Sequence, residues 1–202
     1  MISKIFKSSG SFKDVLDYVS QKGKQHEIIL SNGVRDYSKE SVLQDFLFQA
    51  RMNPRIRRNV LHMTLSHHPD DTDKIKGCET NILEAYFEQL KQKGIDFYKT
   101  QFIVCRHNDQ PHPHYHIVAN YVSDDFTRFT DSLIGIRSKA VCKAVTRQFG
   151  LTTANLQERK AMQEKKENQS KNRQKITLLQ LKPMEENSVE NQNKNRRFSY
   201  GR

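Results

Sequence analysis

The sequence predicts an α+β domain, a mostly antiparallel β-sheet flanked by helices, and three observations carry that prediction. Runs with strand alternation and runs with helical periodicity follow one another over residues 1–154. Two β-rich runs, Phe97 to Arg106 and Tyr115 to Val122, are separated only by His107 to Pro113, which is the spacing of an antiparallel hairpin. Glycines stand where helical runs stop, at Gly94 and Gly150.

Ile2 to Phe6 reads as the first strand. Ser11 and Asp14 then have capping-box spacing and open a helix in which Phe12, Val15, Leu16 and Val19 form an i, i+3, i+4, i+7 stripe. At 100° per residue Tyr18 lies about 120° from that stripe, on the helix flank. A strand is expected at Glu27–Leu30, and a second helix at about Ser38 to Met52, with Val42, Leu43, Phe46, Leu47 and Ala50 inward. Val60 to Ser66 alternates Leu61, Met63 and Leu65 against His62, Thr64 and Ser66, the pattern of a half-buried strand. The third helix is expected as one piece, about Asp73 to Lys93, on Ile82, Leu83, Tyr86, Phe87 and Leu90. A fourth runs from about Ser132 to Phe149.

The chain has 202 residues, with 34 Lys+Arg against 23 Asp+Glu, a formal charge of +11. Mean hydropathy is −0.82, and no apolar run approaches the roughly 20 residues that a bilayer requires. A membrane span is excluded. The start lacks the apolar core of a secretory signal, so the expected location is the cytoplasm. Cys78, Cys105 and Cys142 are too few and too scattered for a disulfide framework, and they read as small buried hydrophobes. Residues 155–202 hold 12 Lys+Arg and 6 Asp+Glu, leaving 22 and 17 for residues 1–154. That basic, polar segment is expected to be a tail, helical over about 155–180 and otherwise disordered. The positive surplus points to a polyanionic partner but to no particular chemistry.

Four of the eight histidines fall within ten residues, in His107-Asn-Asp109-Gln-Pro-His112-Pro-His114-Tyr-His116. On a strand, positions i and i+2 share a face, so His114 and His116 present their imidazoles side by side while Tyr115 turns away. Closing the hairpin brings His107 opposite that pair, and three imidazoles then converge on one cation. His112 is the alternative third ligand, disfavoured because it sits between two prolines. Asp109 is placed to accept from a ligand's second ring N–H. Neutral ligands leave the full charge of a divalent ion in place, which suits it to a phosphodiester. Imidazole equally suits Zn²⁺, Ni²⁺ or Cu²⁺. His26, His67 and His68 read as satisfied surface or strand-face residues.

The run from His107 through His116 to Ile117-Val-Ala-Asn120 resembles the H-x-[DE]-x-x-H-P-H-x-H-hydrophobic-x-x-N signature of relaxases, the mobilisation nucleases of the HUH endonuclease superfamily, and most nearly their MOB-P branch. Ser8-Ser-Gly10-Ser11-Phe-Lys-Asp-Val-Leu-Asp-Tyr18-Val looks like the family's first motif, in which a helix carries the nucleophilic tyrosine. His62-Met-Thr-Leu-Ser66 and Arg147-Gln-Phe-Gly150-Leu resemble its second motif and the end of its domain. The resemblance covers about residues 1–154. It implies an HUH-type sandwich and metal-dependent, site- and strand-specific nicking and strand transfer of single-stranded DNA at an origin of transfer. Tyr18 would attack the scissile phosphorus to give a 5′-phosphotyrosyl intermediate, with Mg²⁺ or Mn²⁺ held by His107, His114 and His116. His62, Asp109 or water on the ion would take the phenolic proton. Tyr37 and Tyr115 are the rival tyrosines. Accessory mobilisation proteins and a conjugative coupling protein are the implied partners. Many relaxases continue into a further domain, so the 202 residues fit a truncation.

Phosphate contacts are expected from Lys4, Lys7, Lys22, Lys24, Arg51, Arg55, Arg57 and Arg58, the last three with Ile56 forming the densest basic group before residue 155. Two other readings compete. One is a non-enzymatic nucleic-acid binder with a structural Zn²⁺, for which Cys105 would be a nearby ligand if it did not point to the other side of the sheet or along the strand. The other is a metal-dependent hydrolase acting on something other than DNA, although no His-Glu-x-x-His is present.

Overall fold

The computed structural model describes residues 1–6, 10–20, 26–107, 110 and 112–153. The expected tail and its helix lie outside the described residues, as do Lys7, Lys22, Lys24 and Asp109.

Five antiparallel strands, β1 (Ile2–Phe6), β2 (His26–Asn32), β3 (Val60–Ser66), β4 (Thr100–His107) and β5 (His114–Ser123), form one sheet in the order β1-β3-β5-β4-β2. Among the described residues five α-helices accompany them: α1 (Phe12–Val19), α2 (Lys39–Arg51), α3 (Thr72–Ile75), α4 (Glu79–Gln92) and α5 (Ile134–Gln148). The α+β class read from the sequence is the class observed. No helix among the described residues is long and apolar enough to cross a membrane.

Period-2 alternation divides the side chains of the sheet between two cores. Phe12, Val15, Leu16 and Val19 of α1 and Val42, Phe46 and Ala50 of α2 pack on Val60, Ile103, Cys105 and Val118. On the opposite face Leu83, Tyr86, Phe87 and Leu90 of α4 and Val141, Cys142 and Val145 of α5 pack on Met63, Leu65, Val104, Ile117 and Ala119. Helices thus cover both faces. Strand β3 is consequently buried along nearly its whole length, not half-buried as the alternation suggested.

The cap expected at Ser11 and Asp14 forms. The Ser11 hydroxyl accepts from the Asp14 N–H, and Asp14 Oδ2 accepts from the Ser11 N–H at 2.9 Å. These Ser11 bonds hold the Asp14 carboxyl below its usual range. Ser38 and Ser41 cap α2 in the same way. In α2 it is Ser41 that is buried, while Leu47 is 37% exposed, so the stripe is narrower than expected. The helix expected over 73–93 is two helices. Gly77 adopts φ +85° between them, a left-handed conformation that ends α3 and lets α4 start in a new direction. Phe97–Lys99 is a 3-10 turn, and β4 starts only at Thr100.

Candidate active site

The β4–β5 hairpin pairs His107 with His114 and Cys105 with His116. That register places the three expected imidazoles on the α1 face at the turn end of the hairpin. Ring centroids are 5.4 Å apart for His107–His114, 4.3 Å for His107–His116 and 5.6 Å for His114–His116. One ring nitrogen from each lies within 4.8 Å of the other two, and all three residues are buried. Small side-chain rotations bring such a trio to the about 3.4 Å separation of nitrogens on one tetrahedral ion.

Hydrogen bonds decide which nitrogen of each ring has a lone pair to offer. The Val19 carbonyl accepts from His107 Nε2 at 2.8 Å, so Nδ1 is the ring nitrogen with a lone pair to offer. The His112 carbonyl accepts from His114 Nδ1 at 3.4 Å, which leaves the lone pair of that ring on Nε2. His62 Nε2 lies 2.9 Å from His116 Nδ1. For His116 to coordinate through Nε2, its Nδ1–H must donate to His62. His112, the alternative third ligand, lies with its ring centroid 5.6 Å from His114, and it is not in the trio.

Tyr18 closes the site from above. Its ring centroid is 5.6 Å from His116 and 5.9 Å from His62, edge-on to both, and the residue is 43% exposed. Helix α1 buries its apolar stripe on the sheet, and the flank position of Tyr18 turns the phenol toward β3 and β5. The same docking delivers the Val19 carbonyl to His107. Phe6 stacks on His62 with centroids 4.6 Å apart, and Lys4 Nζ lies 5.1 Å above the Phe6 ring. A stack therefore runs from the exposed edge strand to His116.

The rival tyrosines are elsewhere. Tyr37 is 75% exposed in the turn before α2. Tyr115 is buried on the opposite face and donates to Glu79 at 3.1 Å, and burial with the neighbouring Glu79 charge pushes its phenol far up. Cys105 needs correction. It shares the α1 face with His107, two residues away, and does not point to the other side. Burial pushes its thiol up to about 12, and the converging group is His107, His114 and His116 without Cys105. Arg51, Arg55, Arg57 and Arg58 are exposed around the C-terminus of α2 and the approach to β3. Val60 pairs with Asn120 and Thr64 with His116, so that end of β3 is about 13 Å along the strand from the level of His116. The arginine cluster is therefore not gathered with the histidines, whereas Lys4 is.

Sequence reasoning missed Phe6, the Val19 carbonyl and the ion-paired Arg106, because each meets the site or its rim across a long stretch of chain. Period 2 had set His62 opposite Leu61 and Met63, but nothing local indicated its bond to a residue 54 positions away.

Burial lowers His62 to about 4, with the charge of His107 adding to the effect, and burial likewise lowers His67 to about 4. A histidine held neutral by the fold binds its proton in the unfolded chain first. Stability is then full above about 6.5 and is lost as pH falls toward 4. Each group contributes up to about 3 kcal/mol to that loss. The urea midpoint of the metal-free protein should fall markedly between pH 7.5 and pH 5, and a flat profile would contradict the burial of both rings.

A family model described as "Relaxase: MobA/VirD2-like, nuclease domain" matches residues 18–151, two thirds of the chain, from Tyr18 through the hairpin histidines to the residue after Gly150. Comparison with curated proteins and with solved structures gives no match. The matched span contains β2–β5, α2–α5 and all four histidines of the cluster, and on that match the chain belongs to the MobA/VirD2-like relaxase nuclease-domain family.

Proposed function

We propose that the protein nicks one DNA strand at an origin of transfer and holds the cut end on Tyr18, with residues 1–154 as the nuclease domain and residues 155–202 as a basic tail. The observation that supports this reading best is the meeting of Tyr18 with His116 and His62 above three convergent imidazoles. Nothing local in the sequence requires a residue of the first helix to reach the hairpin histidines.

The imidazoles suit a divalent ion on the chemistry of the donor set, with one lone pair from each ring directed by the hydrogen bonds above. His107, His114 and His116 would hold the ion, Mg²⁺ or Mn²⁺. When bound, it supplies positive charge to the non-bridging phosphate oxygens. Tyr18 Oη loses its proton and forms the new bond to phosphorus, while the bond from phosphorus to the 3′-oxygen breaks and that oxygen takes up a proton. One phosphoester replaces another, so the energy of the cut bond is kept for rejoining. A free phenol titrates near 10, and the reaction therefore needs a proton acceptor.

His62 is assigned a positioning role and not the role of that acceptor. With its Nε2 receiving the His116 Nδ1–H, neutral His62 has its remaining proton on Nδ1 and offers Tyr18 no lone pair there. Asp109 remains the other side-chain acceptor, proposed from the sequence. Lys4, at the exposed edge beside the stack, and Lys22 and Lys24, after α1, are proposed to hold phosphates flanking the cut. Arg51, Arg55, Arg57 and Arg58 would take DNA at the far end of the sheet. Accessory mobilisation proteins and a coupling protein are the proposed partners, and the cytoplasm is the proposed location.

The test is incubation with labelled single-stranded DNA carrying the native origin and Mn²⁺. The expected product is an SDS-stable protein–DNA adduct together with a free 3′-hydroxyl fragment. Salt-sensitive binding without cleavage would favour a non-enzymatic binder with a structural metal, and cleavage without an adduct would favour a hydrolase.

A further inference from the structure

The outward side of α2 is apolar where a solvent-facing helix is expected to be polar. Phe48, 69% exposed, lies opposite the buried Val42, Phe46 and Ala50, and the exposed Met52 follows it one turn later. Single exposed apolar residues are ordinary, but these two stand in basic company. Residues 46–61 contain four arginines and no Asp or Glu. Arg51 is on α2 beside Phe48, and Arg55, Arg57 and Arg58 follow in the connection to β3, all four exposed. The connection is fixed. The Ile56 N–H donates to the Asn53 carbonyl and the Arg57 N–H to that of Arg55, while the Ile56 side chain packs against the core.

A second ring stands at the same end of the sheet. Asn53 Nδ2 donates to the Phe126 carbonyl at 2.8 Å, and Phe126, in the turn after β5, is 47% exposed with φ +63°. That left-handed conformation suits Gly or Asn and is costly for a bulky side chain. The turn is held by its own bonds: the Phe126 N–H donates to the Ser123 carbonyl, and Asp125 Oδ1 accepts from Ser123 Oγ and the Thr127 N–H. Strain kept at an exposed ring points to a use for the ring.

The charge of this surface selects what covers it. Among the described residues, arginine ion pairs join Arg35 to Asp45, Arg106 to Glu27 and Glu79, and Arg128 to Asp131, and none involves Arg51, Arg55, Arg57 or Arg58. Those four guanidiniums against the carboxylates of Asp124 and Asp125, beside Phe126, leave 4 − 2, a surplus of two positive charges. Exposed rings among unpaired guanidiniums match a nucleic-acid strand, whose base faces stack on the rings while its phosphates meet the cations. A duplex keeps its base faces inside the stack, so the rings favour a single strand. Gln49 of α2 donates to the Val122 carbonyl at 2.7 Å, six residues along β5 from His116, which is about 20 Å of strand. At about 3.4 Å per stacked nucleotide that is roughly six nucleotides.

We propose that the outward face of α2, with Phe126 beside it, is a stacking platform for unpaired bases of the DNA strand about six nucleotides from the cut. Phe48 and Phe126 each take a base face, and Arg51, Arg55, Arg57 and Arg58 take the phosphates between. The proposal rests on the DNA-nicking reading above for the course of the strand from the histidine trio.

The sequence contains no tryptophan, so Phe48→Trp in the full chain puts a single emitter on the platform while keeping a ring. With Mn²⁺ and single strands of the native nick region reaching well beyond six nucleotides on both sides of the cut, its emission should fall steeply on binding. Glu88→Trp, exposed on α4 at the opposite face of the sheet, should not respond. Strands trimmed close to the cut on both sides should bind more weakly and leave the Phe48→Trp emission unchanged. By anisotropy, Phe48→Ala should weaken binding of the long strands by about fivefold or more without changing the salt slope. Phe126→Asn, which keeps a residue suited to the left-handed turn, should do the same. Arg55→Gln should flatten the slope of log K against log salt by about 0.7. Long strands that fail to bind, that leave the Phe48→Trp emission unchanged, or that bind Phe48→Ala as tightly as wild type would overturn the platform. An SDS-stable adduct in those same samples would show that the nicking reading survives its loss, and quenching without an adduct would leave the platform standing and remove the nicking. An emission that shifts with protein concentration in the absence of DNA would mean that a second copy covers the patch, and would also overturn the proposal.

Discussion

Tyr18→Phe removes a single oxygen, and covalent capture of nick-region DNA should then fall by at least about 10³-fold, a loss of roughly 4 kcal/mol in transition-state stabilisation. The ring contacts with His62 and His116 do not require the hydroxyl, and the residue is 43% exposed. Stability should therefore stay within about 0.5 kcal/mol of wild type. Mn²⁺ affinity should be unchanged within twofold, since the oxygen is not one of the three converging donors. SDS gels with end-labelled DNA read the first effect and calorimetric Mn²⁺ titration the last. A normal adduct yield from Tyr18→Phe would move the nucleophile elsewhere, and peptide mapping of the adduct would identify it.

Alanine at His114 or His116 should lower Mn²⁺ affinity by about 100-fold or more, because two imidazoles hold a divalent ion far less tightly than three. His62→Leu should produce a smaller loss of about 10- to 100-fold. It leaves all three donors in place and removes only the acceptor that selects the coordinating tautomer of His116. His112→Ala, outside the trio, should stay near wild type. Titration of the four variants separates these cases. Equal affinities across the series would mean that the imidazole cluster binds no ion. The comparison of His62→Leu with His112→Ala is the sharper half, because both are histidines within reach of the cluster and only His62 is hydrogen-bonded to a side chain of the trio.

Much of the fold was legible because its determinants are local. The α1 stripe, the Ser11–Asp14 cap and the positions of Tyr18 and the hairpin histidines follow from helical and strand periods over fewer than twenty residues each. The alternation of β3 set His62, Thr64 and Ser66 apart from Leu61, Met63 and Leu65 but suggested a half-buried strand, since one sequence run does not reveal which helices will cover its polar side. The break at Gly77 was missed because the flanking residues all tolerate helix and only the φ of +85° declares it. The orientation of Cys105 was also misjudged. The same alternation that puts His114 with His116 puts Cys105 with His107. The arginines after α2 formed a persuasive group by composition, yet strand register and not composition decides which end of the sheet they occupy.

Strands β1 and β2 stand at opposite edges of the sheet, and each finds its partner only later in the chain, in β3 and β4. Val19 and His107, which meet in the finished molecule, are 88 residues apart. During synthesis Tyr18 thus emerges long before His107, His114 and His116, and on the role proposed for it an incomplete chain would hold the phenol without the histidine trio. Assembly from such distant pieces favours slow folding. On the proposed mechanism it would also tie cutting to completion of β5, which carries His114 and His116.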